Sequence, residues 1–281
     1  MAFVVWYGMN YKNIRFSATT LADLTAARDV QQHFLPSTFP QVRGLDYHGV
    51  SLPVDEVGGD FFDFIPQDGR RLLVAVGDVA GHGIGSAIIV SGLQAFLCNL
   101  AACSQGDLAG AVRQLNLHLW RNSPESFYST LFYACVDPFA RRLDYVSAAH
   151  EPALLIRKNR HRVLRLEGTG PVLGLSERGA YAKRSVRIEE GDILLIFTDG
   201  VPDAADERGR VLRTEGVVEI LRRHPDCSAS ALAQGVLKAI HDFTGHTAQS
   251  DDRTLAVVRL SAESHEAAIE ERRRQPAFAM A

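Results

Sequence analysis

An α/β layered sandwich with largely antiparallel sheets is the architecture this sequence predicts, and three observations predict it. Short apolar stretches of strand character come in runs, one from Leu45 to Val79 and another from Ser129 to Leu166. Helical patterns come in paired blocks between and after those runs. The strict strand–helix–strand alternation of a doubly wound parallel sheet is absent.

Ser17 to Leu35 reads as a helix. Thr19 or Thr20 can cap it, Leu21, Leu24, Ala27, Val30 and Phe34 recur at roughly helical spacing, and Pro36 and Pro40 stop it. Strands follow at Leu45 to Leu52, Phe61 to Ile65 and Leu72 to Val79, with Asp68-Gly69 as the turn before the third. Ile84 to Ala102 is apolar almost all round, which predicts a buried helix, and Leu108 to Trp120 is a more amphipathic one. Strands resume at Ser129 to Val136, Arg142 to Ser147, Ala153 to Arg157, Val163 to Leu166 and Ile193 to Thr198. Helices over Arg213 to Arg223 and Ser228 to Phe243 precede a last strand, Thr254 to Leu260. This divides the chain into an aromatic-rich extension (1–16), a linker helix (17–36), a main domain (37–261) and a charged tail (262–281).

Composition narrows the function. Hydrophobic residues make up 46% of the 281, so a sizeable core is affordable. A net charge of -3 argues against nucleic-acid binding, which needs a basic face. Cys98, Cys103, Cys135 and Cys227 lack CxxC spacing, so neither a disulfide framework nor a zinc knuckle is expected, and a reducing cytoplasm fits. The apolar stretch Ala2 to Tyr7 is too short to cross a bilayer and lacks the order of a signal peptide, so no membrane span is expected.

Four acidic motifs fall at strand ends: Gly58-Gly59-Asp60-Phe61-Phe62-Asp63, Gly77-Asp78-Val79-Ala80-Gly81-His82-Gly83, Phe197-Thr198-Asp199-Gly200 and Asp251-Asp252-Arg253-Thr254. If the fold gathers them, several carboxylates meet, and like charges at close range stay ionised only with a cation among them. Oxygen donors favour a hard divalent ion such as Mg²⁺ or Mn²⁺, and hence hydrolytic or phosphoryl chemistry. Asp78 leaves a buried strand for a glycine-rich turn and a helix N-terminus; a merely structural turn with a capping Asp is the alternative. Strand parity puts Asp60 on one face and Asp63 on the other, where Asp63 is expected as a solvated or capping carboxylate. Of the adjacent Asp251 and Asp252, one is expected to be a ligand and the other to bond the backbone. His82 could position water or protonate a leaving oxygen, or be a turn histidine bonded to backbone; His150 is expected as a local clamp at a strand end. The Gly-Gly-Asp-Phe-Phe stretch lacks the second acid of a diguanylate cyclase signature, and no Gly-Lys-Ser/Thr follows His82 as a P-loop needs.

The joint pattern is more specific. Ala27 to Pro36, Glu56 to Asp63 and Gly77 to Gly83, followed by Ser129-Thr130-Leu131-Phe132-Tyr133, Ala148-Ala149-His150-Glu151-Pro152, Gly170 to Leu175, Gly191 to Gly200 and Asp251 to Thr254, resemble the stage II sporulation protein E branch of the metal-dependent (type 2C) protein phosphatases. The resemblance covers about residues 24 to 260 and implies a four-layer αββα sandwich of two antiparallel sheets flanked by helices. It implies two Mn²⁺ or Mg²⁺ ions, with Asp78 bridging both, the Val79 carbonyl on one, Asp199 and Asp251 on the other, and Asp60 a ligand or water-mediated partner on the Val79 side. The implied reaction is hydrolysis of phosphoserine or phosphothreonine on a protein, such as an anti-sigma-factor antagonist, by a metal-activated hydroxide. A homodimer through residues 17–36 and a separate sensor or activator protein are further implications. A noncatalytic phosphoprotein-binding module and a small-molecule phosphohydrolase are the alternatives. The family often has Ala-Gly-His where this chain has Ala148-Ala149-His150, and a Glu where it has Asp203.

Overall fold

The computed structural model describes residues 22–261 except 37, 82, 104–105, 159–161 and 224–226. The extension 1–16, the start of the linker helix, the tail 262–281 and His82 therefore lie outside the described residues. Two five-stranded sheets stack face to face. One has the order β1 (Leu45–Leu52), β10 (Arg253–Leu260), β9 (Ile193–Phe197), β6 (Ala153–Ile156), β7 (Val163–Leu166). The other runs β2 (Asp60–Gln67), β3 (Arg71–Val79), β4 (Ser129–Asp137), β5 (Arg142–Ala148), β8 (Arg184–Arg187). Every neighbouring pair of strands is antiparallel.

Alternation along the strands produces three apolar layers. Phe62, Phe64, Val74, Val76, Phe132 and Tyr145 face Leu155, Leu194, Ile196, Ala256 and Val258 between the sheets. The opposite parity, Phe61, Leu73, Ala75, Leu131 and Tyr133, meets the buried sides of α2 (Ile84–Cys103) and α3 (Leu108–Asn122). Leu154, Leu195, Phe197, Leu255 and Val257 are covered by α4 (Arg213–Arg222) and α5 (Ala229–Thr244). Helix, sheet, sheet and helix thus make the αββα stack, and each fully buried Leu or Phe contributes about 1.5–3 kcal/mol. By length and hydropathy α2 could cross a membrane, but it packs on β2, β3 and α3 as a core helix.

Local chemistry sets the boundaries. Asp68 (φ 55°) and Gly69 (φ 64°) both take positive φ in the turn 68–70 that joins β2 to β3, closed by the Arg70 N–H donating to the Gln67 carbonyl at 3.0 Å. Pro66 is accommodated because β2 is an edge strand. Asp107 caps α3 by accepting from the Gly110 N–H at 2.9 Å, and Ser228 caps α5 through Ala231 at 3.2 Å. The sequence pattern does not anticipate β8, whose Arg-Ser-Val-Arg is mostly exposed at a sheet edge with only Val186 turned to the core.

The helix preceding the sandwich, α1 (22–34), lies against the loop that leads into β2. Gln31 is buried and grips Gly58 twice: its Nε2 donates to the Gly58 carbonyl at 2.7 Å and its Oε1 accepts from the Gly58 N–H at 3.0 Å. Arg28 pairs with Glu56 at 2.6 Å on the same loop. Leu35 packs at the margins of two of the apolar layers.

Candidate metal centre

The site is built at one end of the cleft between the sheets. Asp60 opens β2 and pairs in register with Asp78 near the end of β3, which in turn pairs with Thr130 on β4. All three share the parity of Phe62, Val76 and Phe132, so their side chains face the opposite sheet. From that sheet β9 ends at Phe197 and hands on to Thr198 and Asp199, while Asp251 and Asp252 directly precede β10. Four stretches distant in sequence therefore converge.

Their hydrogen bonds divide the labour. The Thr198 hydroxyl accepts from the Thr254 N–H at 3.0 Å and donates to Asp60 Oδ2 at 2.7 Å, tying Asp60 to the other sheet. Asp252 directs both oxygens to backbone, Oδ1 to the Val54 N–H at 2.8 Å and Oδ2 to the Gly59 N–H at 2.7 Å. Asp251 is exposed, and among the described residues its carboxylate accepts the next residue's N–H, at 2.8 Å. Close approach requires small residues here: a Cβ on Gly59 would stand 2.6 Å from the Val79 carbonyl, and one on Gly200 only 2.0 Å from the Asp252 carbonyl.

The electrostatics follow from crowding. Burial, then Asp199, Asp251 and Asp252, push the Asp78 carboxyl up to about 7. Asp60, 4% exposed, lies well above the usual carboxylate range through burial and the neighbouring Asp78, in spite of the Thr198 hydrogen bond. Asp199 is raised by burial, Asp251 and Asp203, and Glu151 by burial, Asp199 and Asp203. The four sequence-predicted acids thus share one neighbourhood, and Val79, fully buried, presents its carbonyl beside Gly59. His82 lies outside the described residues. Asp63 is corrected from a solvated carboxylate: it is buried under α2, accepting from the Cys98 thiol at 3.2 Å and the Phe64 N–H at 2.8 Å. Sequence reasoning passed over Thr198 and Thr130, although each stands one residue from, or directly across from, a motif acid.

Residues 68–261 match the family model of stage II sporulation protein E (SpoIIE). The chain belongs to the SpoIIE family. Phosphoserine phosphatase RsbU of Bacillus subtilis is 28% identical to it, over 91% of this chain and 76% of RsbU. Phosphoserine phosphatase RsbP of the same organism is 29% identical, over 87% of this chain but only 59% of RsbP. Among solved structures, the SiaA-PP2C domain of Pseudomonas aeruginosa superposes with a TM-score of 0.76 at 22% identity, covering 87% of this chain and 99% of that domain.

As a SpoIIE-family member the chain is a metal-dependent protein serine/threonine phosphatase. Its residues fit a divalent cation. The donors are oxygens alone, and the burial and mutual repulsion that raise Asp60, Asp78 and Asp199 are what a cation offsets. As they stand, no three His, Cys, Asp or Glu side chains among the described residues are gathered tightly enough to grip an ion. In this SpoIIE-family site Thr198 holds Asp60, and Asp252 holds the Gly59 N–H.

Proposed function

We propose that Asp60, Asp78, the Val79 carbonyl, Asp199 and Asp251 hold two Mn²⁺ or Mg²⁺ ions, and that the chain hydrolyses phosphoserine or phosphothreonine on a regulatory protein. The convergence of acids from four separate strand ends into one partly buried, mutually destabilised cluster carries this reading. When bound, the ions supply an acidified water and neutralise charge on the phosphoryl group. The chain's own residues set the frame. Thr198 fixes Asp60, and Gly59 lets the loop before β2 approach the Val79 carbonyl. Asp252 is committed to backbone, which leaves Asp251 as the ligand of that pair. His82 is the candidate to position water or to protonate the leaving oxygen.

Turnover of p-nitrophenyl phosphate by the pure chain, measured with Mn²⁺, with Mg²⁺ and with EDTA, tests the reading. Metal-dependent hydrolysis that extends to phosphopeptides supports it. Tight phosphopeptide binding without turnover would make the chain a noncatalytic binding module, and turnover of phosphorylated metabolites alone would make it a small-molecule phosphohydrolase. The same assay tests the backbone clamp: Asp252→Ala should raise the Mn²⁺ concentration for half-maximal activity by about 10- to 100-fold. An unchanged metal requirement would remove Asp252 from the design.

The relatives' names support a phosphoserine substrate, and by the family resemblance its carrier is a phosphorylated regulator such as an anti-sigma-factor antagonist in a partner-switching circuit. Val30 and Phe34 are exposed one turn apart on α1, which suits pairing of two copies through residues 17–36 or docking of a separate activator. All four cysteines are free, which accords with a cytoplasmic setting.

A further inference from the structure

Most of the exposed large apolar side chains among the described residues crowd the end of the sandwich that holds the acids. Leu52 and Val54 stand beside Asp252, whose carboxylate holds the Val54 N–H. Ile84 and Ile88, 45% and 66% exposed, lie on the first turns of α2, just after the loop that follows Asp78. The Tyr128 carbonyl accepts the Ala80 N–H of that loop at 2.9 Å, and Leu175 comes two residues after the Leu173 that pairs with Ser129. The turns at the opposite end of the sheets carry charge instead, with Asp68, Arg71, Arg142, Arg157 and Lys158, and none of these exposed apolar groups. The end that must meet a phosphoprotein is the apolar one.

Part of this apolar collar is a groove. α2 and α3 leave a trough of about 190 Å³ between them, lined by Ile88, Ile89, Gly92, Leu93, His118 and Leu119. It is smaller than the roughly 300–1,000 Å³ of small-molecule sites and suits one or two side chains of a protein. α2 carries no charged residue along its length. The polar groups that border the trough are already engaged: His118 stacks on Phe96 with ring centroids 4.3 Å apart, Asn122 Nδ2 donates to the His118 carbonyl at 2.8 Å, and the Ser123 hydroxyl donates to the Leu119 carbonyl at 2.6 Å. The trough therefore asks for an apolar occupant. Gly92 points the same way. A glycine inside a helix costs about 1 kcal/mol relative to alanine, yet a Cβ here would meet nothing within 4 Å. No described neighbour requires the glycine, whereas an incoming side chain gains close approach to the helix backbone.

The trough lies within reach of the acids. A Cβ on Gly59 would stand 2.6 Å from the Val79 carbonyl and 3.5 Å from the Ser86 Cβ, so the first turn of α2 lies against the site. At about 1.5 Å per residue, Ile88 to Gly92 then lie roughly 10–15 Å from that carbonyl, a span of about three or four extended residues. We propose that the trough between α2 and α3 docks the phosphoprotein substrate, taking an apolar side chain that lies three or four residues from the phosphoserine entering the acid cleft. This rests on the phosphatase site proposed above. The occupant is the substrate because trough and cleft form one continuous surface, and an uncharged helix face complements an apolar flank.

The probes are synthetic phosphoserine peptides of one sequence, with Leu or Ser placed three or four residues before or after the phosphoserine, assayed with Mn²⁺. One Leu placement should raise kcat/KM about 10-fold over its Ser counterpart, chiefly through KM. Ile88→Asp and Gly92→Phe should each abolish that preference while hydrolysing p-nitrophenyl phosphate within about two-fold of the wild type. Both positions are exposed, so both variants should fold, and thermal melts in EDTA check this. Gly92→Phe is the stricter variant, because it fills the trough and removes a helix-interior glycine, and should melt no lower than the wild type. A wild type with no Leu preference at any placement, or a preference that survives both variants, would overturn the proposal. So would a variant that changes the mass in solution and keeps the Leu preference, which gives the trough to a second copy. Wild-type protein that turns over neither p-nitrophenyl phosphate nor any peptide would overturn the site assignment instead. Peptide binding in EDTA, read by fluorescence anisotropy, then decides the docking: Leu-dependent binding lost in Gly92→Phe keeps it, and Leu-independent binding ends it.

Discussion

Asp78→Asn is expected to lower metal-dependent hydrolysis by about a thousand-fold or more, roughly 4 kcal/mol of transition-state stabilisation, while leaving the metal-free fold as stable as before or more so. The two halves of that expectation share a cause. Asp78 faces Asp199, Asp251 and Asp252 in a half-buried cleft, so its charge is unfavourable in the empty protein and useful only with a cation beside it. Asn keeps the volume and removes the charge. A residue held for structure would behave oppositely, since its loss lowers the melting temperature. Steady-state rates with Mn²⁺ and thermal melts in EDTA at pH 8 check both parts. A near-normal rate, or a metal-free variant that melts well below the wild type, would contradict the role given to Asp78.

The second large effect is an inverted response of the metal-free protein to pH. Folded Asp78, Asp60 and Asp199 are all raised above the unfolded carboxylate value of about 3.9, Asp78 to about 7. Between about pH 4 and 7 the folded chain therefore binds more protons at this site than the unfolded chain does. The associated stability is fully present below the unfolded value and is lost as pH rises through the folded one. The metal-free chain should melt about 5–10 °C higher at pH 5.5 than at pH 8, and adding Mn²⁺ at pH 8 should restore the difference. Calorimetry in EDTA across that range is the measurement. A melting temperature that is flat or falls on acidification would mean that burial and mutual repulsion do not raise these carboxyls in the folded chain.

Much of this arrangement is legible in the sequence because its signals are local. Period-two patterns place the strands, Asp68-Gly69 forms the hairpin turn, and parity along Asp60-Phe61-Phe62-Asp63 separates the two acids onto opposite faces. What is not legible depends on partners far along the chain. Asp63 reads as a surface carboxylate until α2 is seen to cover it. The grip on the Gly59 N–H comes from Asp252, 193 positions away. Gln31 is one polar residue among many in an amphipathic helix, and only the folded chain reveals its paired bonds to Gly58. The edge strand Arg184–Arg187 carries too little apolar pattern to announce itself.

The placement of β10 bears on when the enzyme can first act. The final described strand is central: it is hydrogen-bonded to β1 along its whole length and to β9 on its other side. During synthesis, β1 and β9 have no shared partner until Arg253–Leu260 leaves the ribosome, and Asp251 and Asp252 arrive only with it. A stalled or prematurely terminated chain therefore lacks both an interior strand of a sheet and the acids Asp251 and Asp252. Such fragments are expected to show no metal-dependent hydrolysis, and an assay of a chain truncated before Asp251 checks it.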